Sequence, residues 1–249
     1  MKKNFIILVL CLIWGSCEKE KVCDSELRKY PSDVTGYQYG DKNETFDFEL
    51  KYDDKGRIIK RIGGVYSDIS NGYLMQILTK DVYDSIIYKG NTIKIFNCYR
   101  EHWNSKSHIR TIKETTITVD DNGLITKKNS NNGSEVIEYD YNDLGLLVKT
   151  FKTIYINGYN DWKYQRLFTY SSLNNLKSVE SVSSDINGKF PSDTIISVFS
   201  DYDNAPNPFK KLRIFDDALI RSLSSNNFKK YDDMEWIFNY DDCGNVKFY

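Results

Sequence analysis

Apolar and polar residues alternate along most of the chain, and short polar corners interrupt the alternation. One frame recurs: an apolar residue, a spacer, Tyr or Val, a four-residue corner, a second spacer and an aliphatic residue. The copies are FELKYDDKGRIIK at 48–60, TITVDDNGLITKK at 116–128, EYDYNDLGLLVKT at 138–150, LFTYSSLNNLKSV at 167–179 and IFNYDDCGNVKFY at 237–249. Alternation on both sides of a corner is typical of two strands joined by a turn, so each copy predicts one β-hairpin.

The residue types in the corner explain how the chain reverses. Its first position holds a short polar side chain that can accept hydrogen bonds from backbone N–H groups two residues on. Its fourth position favours a left-handed backbone, which glycine adopts without strain and asparagine tolerates. The first position is occupied by Asp53, Asp120, Asn142, Ser171 and Asp241, and the fourth by Gly56, Gly123, Gly145, Asn174 and Gly244. We interpret these residues as structural turn residues.

The frame also predicts which residues lie opposite each other. The residue before each corner is expected to face the second residue after the glycine, as in the pair Tyr52 and Ile58. One step outward, Leu50 is expected opposite Lys60. One face is then mostly apolar and the other mostly polar, as in antiparallel sheets that bury one face. The sequence therefore predicts an all-β fold, mainly an antiparallel meander, in a large curved sheet that is open or barrel-like.

One segment departs from the strand pattern. Leu212, Phe215, Leu219 and Leu223 are three or four residues apart and follow two prolines. This spacing predicts one short helix near 209–223, which would cap the open end of the sheet. An irregular loop is the alternative interpretation.

The first residues have the layout of a secretion signal. Lys2 and Lys3 precede an apolar run of about ten residues, which is too short to cross a bilayer because a spanning helix needs roughly 20. Gly15-Ser16-Cys17 follows the run. This ending resembles the lipobox of bacterial lipoproteins, although Trp14 stands where leucine is usual.

The lipobox resemblance implies a lipoprotein signal peptide at 1–16, a lipidated Cys17 with a tether at 17–44, and a single β-rich domain at 45–249. It implies a lipid-anchored protein of the bacterial cell envelope, expected at the outer membrane, with a plainly secreted protein as the alternative. Loss of the signal takes two positive charges from a chain whose formal charge is −1, which leaves −3. A weakly acidic domain lacks the basic surface that nucleic acid requires, so no nucleic-acid partner is expected.

The corners also resemble a known repeat. YDDKGRI at 52–58 and YDDCGNV at 240–246 match the Tyr-Asp-x-x-Gly-x-aliphatic frame of the YD (Rhs-type) repeat, a β-hairpin unit of bacterial cell-surface proteins. The other three copies depart at the tyrosine, the aspartate or the glycine. With Asn207-Pro208-Phe209 and Ser224-Ser225-Asn226-Asn227, the chain is similar to small envelope lipoproteins of unknown function that carry YD-like hairpins. The resemblance implies an architecture and a compartment, and it brings no catalytic residue.

No motif nominates a reaction, a metal or a cofactor. The chain lacks the nucleophile elbow, the phosphate loop and the usual zinc spacings. Asp201, Asp203 and Asn204 have ligand-like spacing, but the paired aspartates elsewhere are interpreted as turn residues. We therefore expect no catalytic residue, no metal and no cofactor. Aromatic residues outside the repeat are candidate ligand-stacking residues, namely Trp103, Tyr159, Trp162 and Tyr164.

Three functional hypotheses remain open. The first is a non-enzymatic binding or scaffold module for a glycan or an envelope protein, which suits a tethered, tyrosine-rich sheet. The second is a glycoside hydrolase-like enzyme, because two distant acids in a cleft leave no local motif. The third is a carrier of an apolar ligand, which requires a large apolar concavity inside the sheet.

Overall fold

The structure is a computed structural model. It describes residues 33–34, 48–70, 73–103, 106–156, 162–185, 193–235, 237–240 and 246–247. The predicted signal peptide, Cys17, Tyr159, Asp241 and Gly244 lie outside the described residues.

Fourteen of the described strands form one antiparallel sheet, in which every strand pairs with its neighbours in the sequence. They are β1 (Asp33–Val34), β2 (Phe48–Tyr52), β3 (Ile58–Ser70), β4 (Tyr73–Lys89), β5 (Thr92–Trp103), β6 (Lys106–Val119), β7 (Ile125–Ser130), β8 (Glu135–Tyr141), β9 (Leu147–Ile154), β10 (Trp162–Tyr170), β11 (Leu176–Asp185), β12 (Asp193–Pro206), β13 (Asn226–Tyr231) and β14 (Met234–Glu235). A separate hairpin pairs β15 (Asn239–Tyr240) with β16 (Val246–Lys247). The curved sheet is not closed, because β1 and β14 are its edges. The predicted all-β antiparallel meander is confirmed in its open form.

The meander gathers the polar corners at one end of the sheet. The first four frame corners connect β2 to β3, β6 to β7, β8 to β9 and β10 to β11, and a Gly90-Asn91 turn connects β4 to β5. Each of these turns follows an even-numbered strand. Successive strands run in opposite directions, so all five turns lie at the same end, which we call the corner end.

The register near the corners differs from the prediction by one residue. Tyr52 lies opposite Ile58 as expected, but Leu50 lies opposite Arg61 and not opposite Lys60. The prediction was wrong because a β-bulge adds one residue to the outgoing strand. The same shift in the second copy places Lys128 opposite Ile117. Two long basic side chains are thereby brought to the apolar face of the sheet.

The helical segment is present, but it consists of two short pieces. A 3-10 helix spans Pro208–Ile214 and an α-helix, α1, spans Leu219–Ser222. The backbone of Phe215 between them is extended, which interrupts the single helix that the spacing predicted. No helix within the described ranges has the length and apolar character needed to cross a bilayer.

The helical segment forms the centre of the hydrophobic core. We call residues 206–225 the plug, because they cover the apolar surface of the curved sheet. The buried plug residues are Phe209, Leu212, Ile214, Phe215 and Leu219. They pack with buried sheet residues from β2 to β13, including Leu50, Ile58, Ile86, Ile117, Ile125, Leu147, Phe168, Leu176, Phe199 and Phe228. The core face is therefore the inner face of the sheet.

The sheet begins earlier in the chain than predicted. Asp33 and Val34, within the expected tether, form β1 and pair with Glu49 and Phe48 of β2. A free strand edge exposes backbone hydrogen-bonding groups, and β1 covers part of that edge. The predicted boundary at residue 45 is therefore too late for these two residues.

Candidate functional site

The acidic corners are hydrogen-bonded turns. Asp53 Oδ1 accepts hydrogen bonds from the backbone N–H groups of Lys55 at 3.1 Å and Arg57 at 2.8 Å. The backbone hydrogen bond from Arg57 is the main reason that the pKa of Asp53 is lowered. The same pair of bonds recurs at Asp120, Asn142 and Ser171. Positive φ angles occur at Gly56 (67°), Gly123 (75°), Gly145 (71°) and Asn174 (59°).

The plug binds the corners through their backbone carbonyls. Lys211 Nζ donates to the Gly56 carbonyl at 2.8 Å, and the Arg213 guanidinium donates to the Gly123 carbonyl at 2.7 Å. The backbone N–H of Ser225 donates to the Asn174 carbonyl at 3.3 Å. The fourth corner position therefore has a second role, because its carbonyl anchors the plug at three separate hairpins.

Tyrosines near the corner ends of even-numbered strands join successive hairpins. The Tyr88 hydroxyl donates to the Ile58 carbonyl at 3.0 Å, and the Tyr170 hydroxyl donates to the Leu147 carbonyl at 2.9 Å. Tyr202 makes the corresponding bond to Leu176. Each acceptor belongs to the strand that precedes the tyrosine's own strand. Burial raises the pKa of Tyr88 to about 12 and also raises the pKa of Tyr170.

Tyr202 and Asp203 reveal a further copy of the frame, which sequence reasoning missed. Asp203 Oδ1 accepts hydrogen bonds from the backbone N–H groups of Ala205 and Asn227, each at 3.1 Å. Tyr202 lies opposite Phe228, as Tyr52 lies opposite Ile58 in the first copy. The plug is inserted between the third and fourth corner positions. The Tyr-Asp pair at 202–203 was the available signal, but the returning half of the frame begins only after the plug.

The ligand-like spacing at 201–204 thus has a structural explanation. Asp203 Oδ2 accepts a hydrogen bond from the side-chain amide of Asn227 at 3.0 Å and another from the Tyr240 hydroxyl. Asp201 forms an ion pair with Lys230 at 3.1 Å. We call the hydrogen-bonded arrangement around Asp203 the split corner.

Buried charges hold the plug on the inner face. Arg61 pairs with Asp84 at 2.8 Å and with Asp217 of the plug at 2.7 Å. Burial opposes the charge of Arg61, but the two carboxylates outweigh burial and raise its pKa. Lys128 pairs with Asp216 of the plug at 2.7 Å. These are the two residues that the bulges moved to the inner face.

A third buried cation lies within the plug. The Arg221 guanidinium lies 3.8 Å from the ring centre of Phe228 and donates to the Phe228 carbonyl at 2.7 Å. Burial lowers the pKa of Arg221 to about 10. The inner face near the corner end is therefore a packed structural region, in which charged groups orient the plug.

Farther from the corner end, the inner face carries two predicted stacking residues. Trp162, Tyr164 and Arg166 share a face of β10 with the buried Phe168, because they are two residues apart and the pairing with β9 and β11 is continuous. Tyr164 is 37% exposed, Trp162 is half-buried and Arg166 is exposed. The side chain of Trp103, like Tyr159, lies outside the description.

Charged residues of the neighbouring strands adjoin this aromatic pair. Lys152 lies opposite Tyr164 and forms an ion pair with Glu135 at 3.0 Å. We call Glu135, Lys152, Trp162, Tyr164 and Arg166 the distal strip. Its two rings offer apolar faces beside hydrogen-bonding groups, which is the combination that a polar ligand with an apolar face requires.

The opposite face of the same strands carries a shallow depression of about 510 Å³. Its lining includes Thr126, Glu138, Asp140, Lys149 and Phe151. It brings two exposed carboxylates close together on β8, but it is wide and open. The distal strip is the stronger candidate, because two aromatic rings lie there beside the exposed guanidinium of Arg166.

Comparison with known proteins identifies a fold. No protein-family profile matches the chain, and no curated protein sequence matches it. A porin-like protein from Bacteroides uniformis ATCC 8492 is similar in structure, with a TM-score of 0.52 and 13% identity, over 86% of this chain and 85% of that one. A porin-like protein from Bacteroides vulgatus ATCC 8482 has a TM-score of 0.44 and 14% identity, over 86% and 89% of the respective chains. The first similarity shows that the open antiparallel architecture occurs in another protein.

Proposed function

We propose that this protein is a non-enzymatic, lipid-anchored binding module of the bacterial cell envelope, and that its distal strip binds a glycan. The observation that carries the proposal is the alignment of Trp162 and Tyr164 on the inner face beside Arg166. Aromatic rings stack on the apolar face of a sugar ring, while charged side chains bind its hydroxyl groups.

The plug supports a polar ligand over an apolar one. Its buried residues cover the apolar part of the inner face at the corner end. A carrier of an apolar ligand needs an open apolar concavity, whereas the partly exposed inner surface of the distal strip carries charges as well as rings. A glycan matches this mixed chemistry.

The compartment rests on the N-terminal pattern and on the likeness to a porin-like protein. We expect acylation at Cys17 and retention of the mature protein in the membrane fraction. Cys17→Ala, expressed in a bacterium with lipoprotein processing and labelled with a fatty-acid analogue, is expected to lose the label. Unchanged labelling of this variant would contradict the anchor without affecting the glycan-binding proposal.

The binding proposal is tested with the mature domain and an oligosaccharide array, followed by titration calorimetry on each hit. Trp162→Ala and Tyr164→Ala are expected to weaken binding at least about tenfold, because stacking area on the inner face is lost. Lys163→Ala is the matched control, since Lys163 lies on the opposite face of β10. Melting temperatures show whether each variant is folded.

Three results would contradict the proposal. The first is an array without a hit, and the second is equal affinity of the folded Trp162→Ala variant and the unchanged protein. The third is release of new reducing ends from a bound oligosaccharide, which would replace the binding module with a hydrolase.

A further inference from the structure

We infer that the ligand of the distal strip is anionic, and specifically that it is a glycan with carboxylated sugars whose carboxylate binds Arg166. This inference rests on the proposed function and names the chemical class of its ligand. It stands on the position of Arg166, on the absence of a partner among the described residues, and on the chemistry of the side chains around it.

Arg166 lies between an aromatic residue and the core on the inner face. Tyr164 and Phe168 are its neighbours on the same face of β10, each about 7 Å away along the strand. Its cross-strand neighbours are Thr150 of β9 and Ser181 of β11. Neither neighbour carries a charge, so the guanidinium has no carboxylate directly across the sheet.

The Arg166 side chain forms no hydrogen bond or ion pair with any other part of the chain that the structure describes. Two carboxylates interact with Tyr139, as Arg166 does, but both are already paired. Asp216 binds Lys128, and Glu135 binds Lys152. The distal strip therefore has one uncompensated positive charge.

This differs from three other cations of the inner face. Arg61, Lys128 and Lys152 are each paired with a carboxylate at 3.0 Å or less. The Arg166 side chain is exposed, so its N–H donors remain accessible to a ligand. An anionic ligand would supply the missing partner of Arg166.

The planar guanidinium of Arg166 suits a carboxylate. Its planar set of N–H donors matches a carboxylate with two parallel hydrogen bonds, which a lysine ammonium does not reproduce. A sugar ring stacked on Tyr164 would place a substituent toward the next residue on the same face, which is Arg166. A carboxylated sugar thus satisfies the ring and the charge together.

The test compares two oligosaccharides that differ only in charge. The probes are an oligogalacturonate and its fully methyl-esterified form, each titrated into the mature domain at low and at high salt. We expect the charged probe to bind about tenfold more tightly at low salt, with a smaller difference at high salt.

Arg166→Gln is expected to abolish the preference, and Arg166→Lys to retain a small part of it. Lys163→Gln removes one charge from the opposite face of the same strand, so it is the matched control and is expected to keep the full preference. A melting curve for each variant shows that it is folded.

The outcomes separate the inference from the proposed function. Equal affinity for the two probes, or an unchanged preference in Arg166→Gln, overturns the anionic assignment, while loss of binding in Trp162→Ala still supports a glycan site. Tighter binding of a sulfated oligosaccharide than of the oligogalacturonate overturns the assignment to a carboxylate. Absence of binding to either probe contradicts the inference and weakens the proposed function itself.

Discussion

The compact corner at Asp120 and the split corner at Asp203 use the same hydrogen bonds across very different lengths of chain. Asp120 accepts from Asn122 and from Leu124, which follows it by four residues. Asp203 makes the equivalent bonds to Ala205 and to Asn227, although residues 206–225 intervene. The frame therefore requires only the aspartate that accepts the backbone hydrogen bonds and the strand that returns to it. The short turn between them can be replaced by a long insertion such as the plug.

The two corners also differ in what depends on them. Asp120 stabilises one hairpin at the surface, and the next residue, Asp121, is exposed. Asp203 additionally accepts bonds from the side chains of Asn227 and Tyr240. Asn227 is completely buried. Failure of a compact corner should remain local, whereas failure of the split corner should loosen the plug and the core beneath it.

The largest effect is expected from a leucine of the plug. Leu212 is 6% exposed within the core, so Leu212→Ala should lower the free energy of unfolding by about 2–5 kcal/mol. Leu144 is the matched control, since it is a leucine in a compact corner and is 75% exposed. Leu144→Ala should change stability by less than about 0.5 kcal/mol. Urea denaturation measures both variants, and equal effects would contradict the central role of the plug.

Substitution of the aspartate that accepts the hydrogen bonds compares the two corners directly. Asp203→Ala should cost about 2–3 kcal/mol, because hydrogen bonds to a charged group are lost and a buried amide is left without its partner. Asp120→Ala should cost about 1 kcal/mol, because it removes only local turn bonds. Urea denaturation of the two variants gives the difference. A loss in Asp120→Ala as large as that in Asp203→Ala would mean that the split corner has no special role.

Local chemistry explains why the compact corners could be predicted from the sequence. An acceptor such as Asp53 and a left-handed residue such as Gly56 act within a few residues, so their spacing survives as a pattern. The same reasoning recovered the meander and the position of the helical segment. It missed the split corner, because a long insertion separates Asp203 from Asn227.

The candidate site was predictable only in part. Alternation along β10 places Trp162 and Tyr164 on one face, which a sequence can reveal. Their relation to Lys152 and Arg166 depends on the register of several strands, and a single bulge changes which side chains face inward. Lys60 was the basic residue expected opposite Leu50, yet Arg61 occupies that position, and the same shift places Lys128 opposite Ile117.

A smaller effect is expected at the tyrosines that join the compact corners. Tyr170→Phe removes the hydroxyl that donates to the Leu147 carbonyl at 2.9 Å, so stability should fall by about 1 kcal/mol. Tyr155→Phe provides the control, because that ring is 49% exposed outside the core. If the two variants unfold at the same urea concentration, the bond between hairpins contributes nothing measurable.

The smallest effect concerns the pH dependence of one such tyrosine. Burial, the largest cause, raises the pKa of Tyr88 from 10.0 to about 12 in the folded protein, with Arg57 opposing the shift and Asp53 adding to it. Between these pH values the unfolded chain releases the Tyr88 proton while the folded chain keeps it. The contribution of Tyr88 to stability is therefore complete below pH 10 and declines as the pH rises toward 12.

The phenylalanine side chain in Tyr88→Phe cannot ionise, so the free energy of unfolding of this variant should decrease less steeply over this interval than that of the unchanged protein. Urea denaturation at about pH 9, 10 and 11 measures how the free energy of unfolding changes with pH. Tyr155→Phe is the control for loss of a phenol group. The same change in unfolding free energy with pH in Tyr88→Phe and in the unchanged protein would show that burial does not raise the pKa of Tyr88.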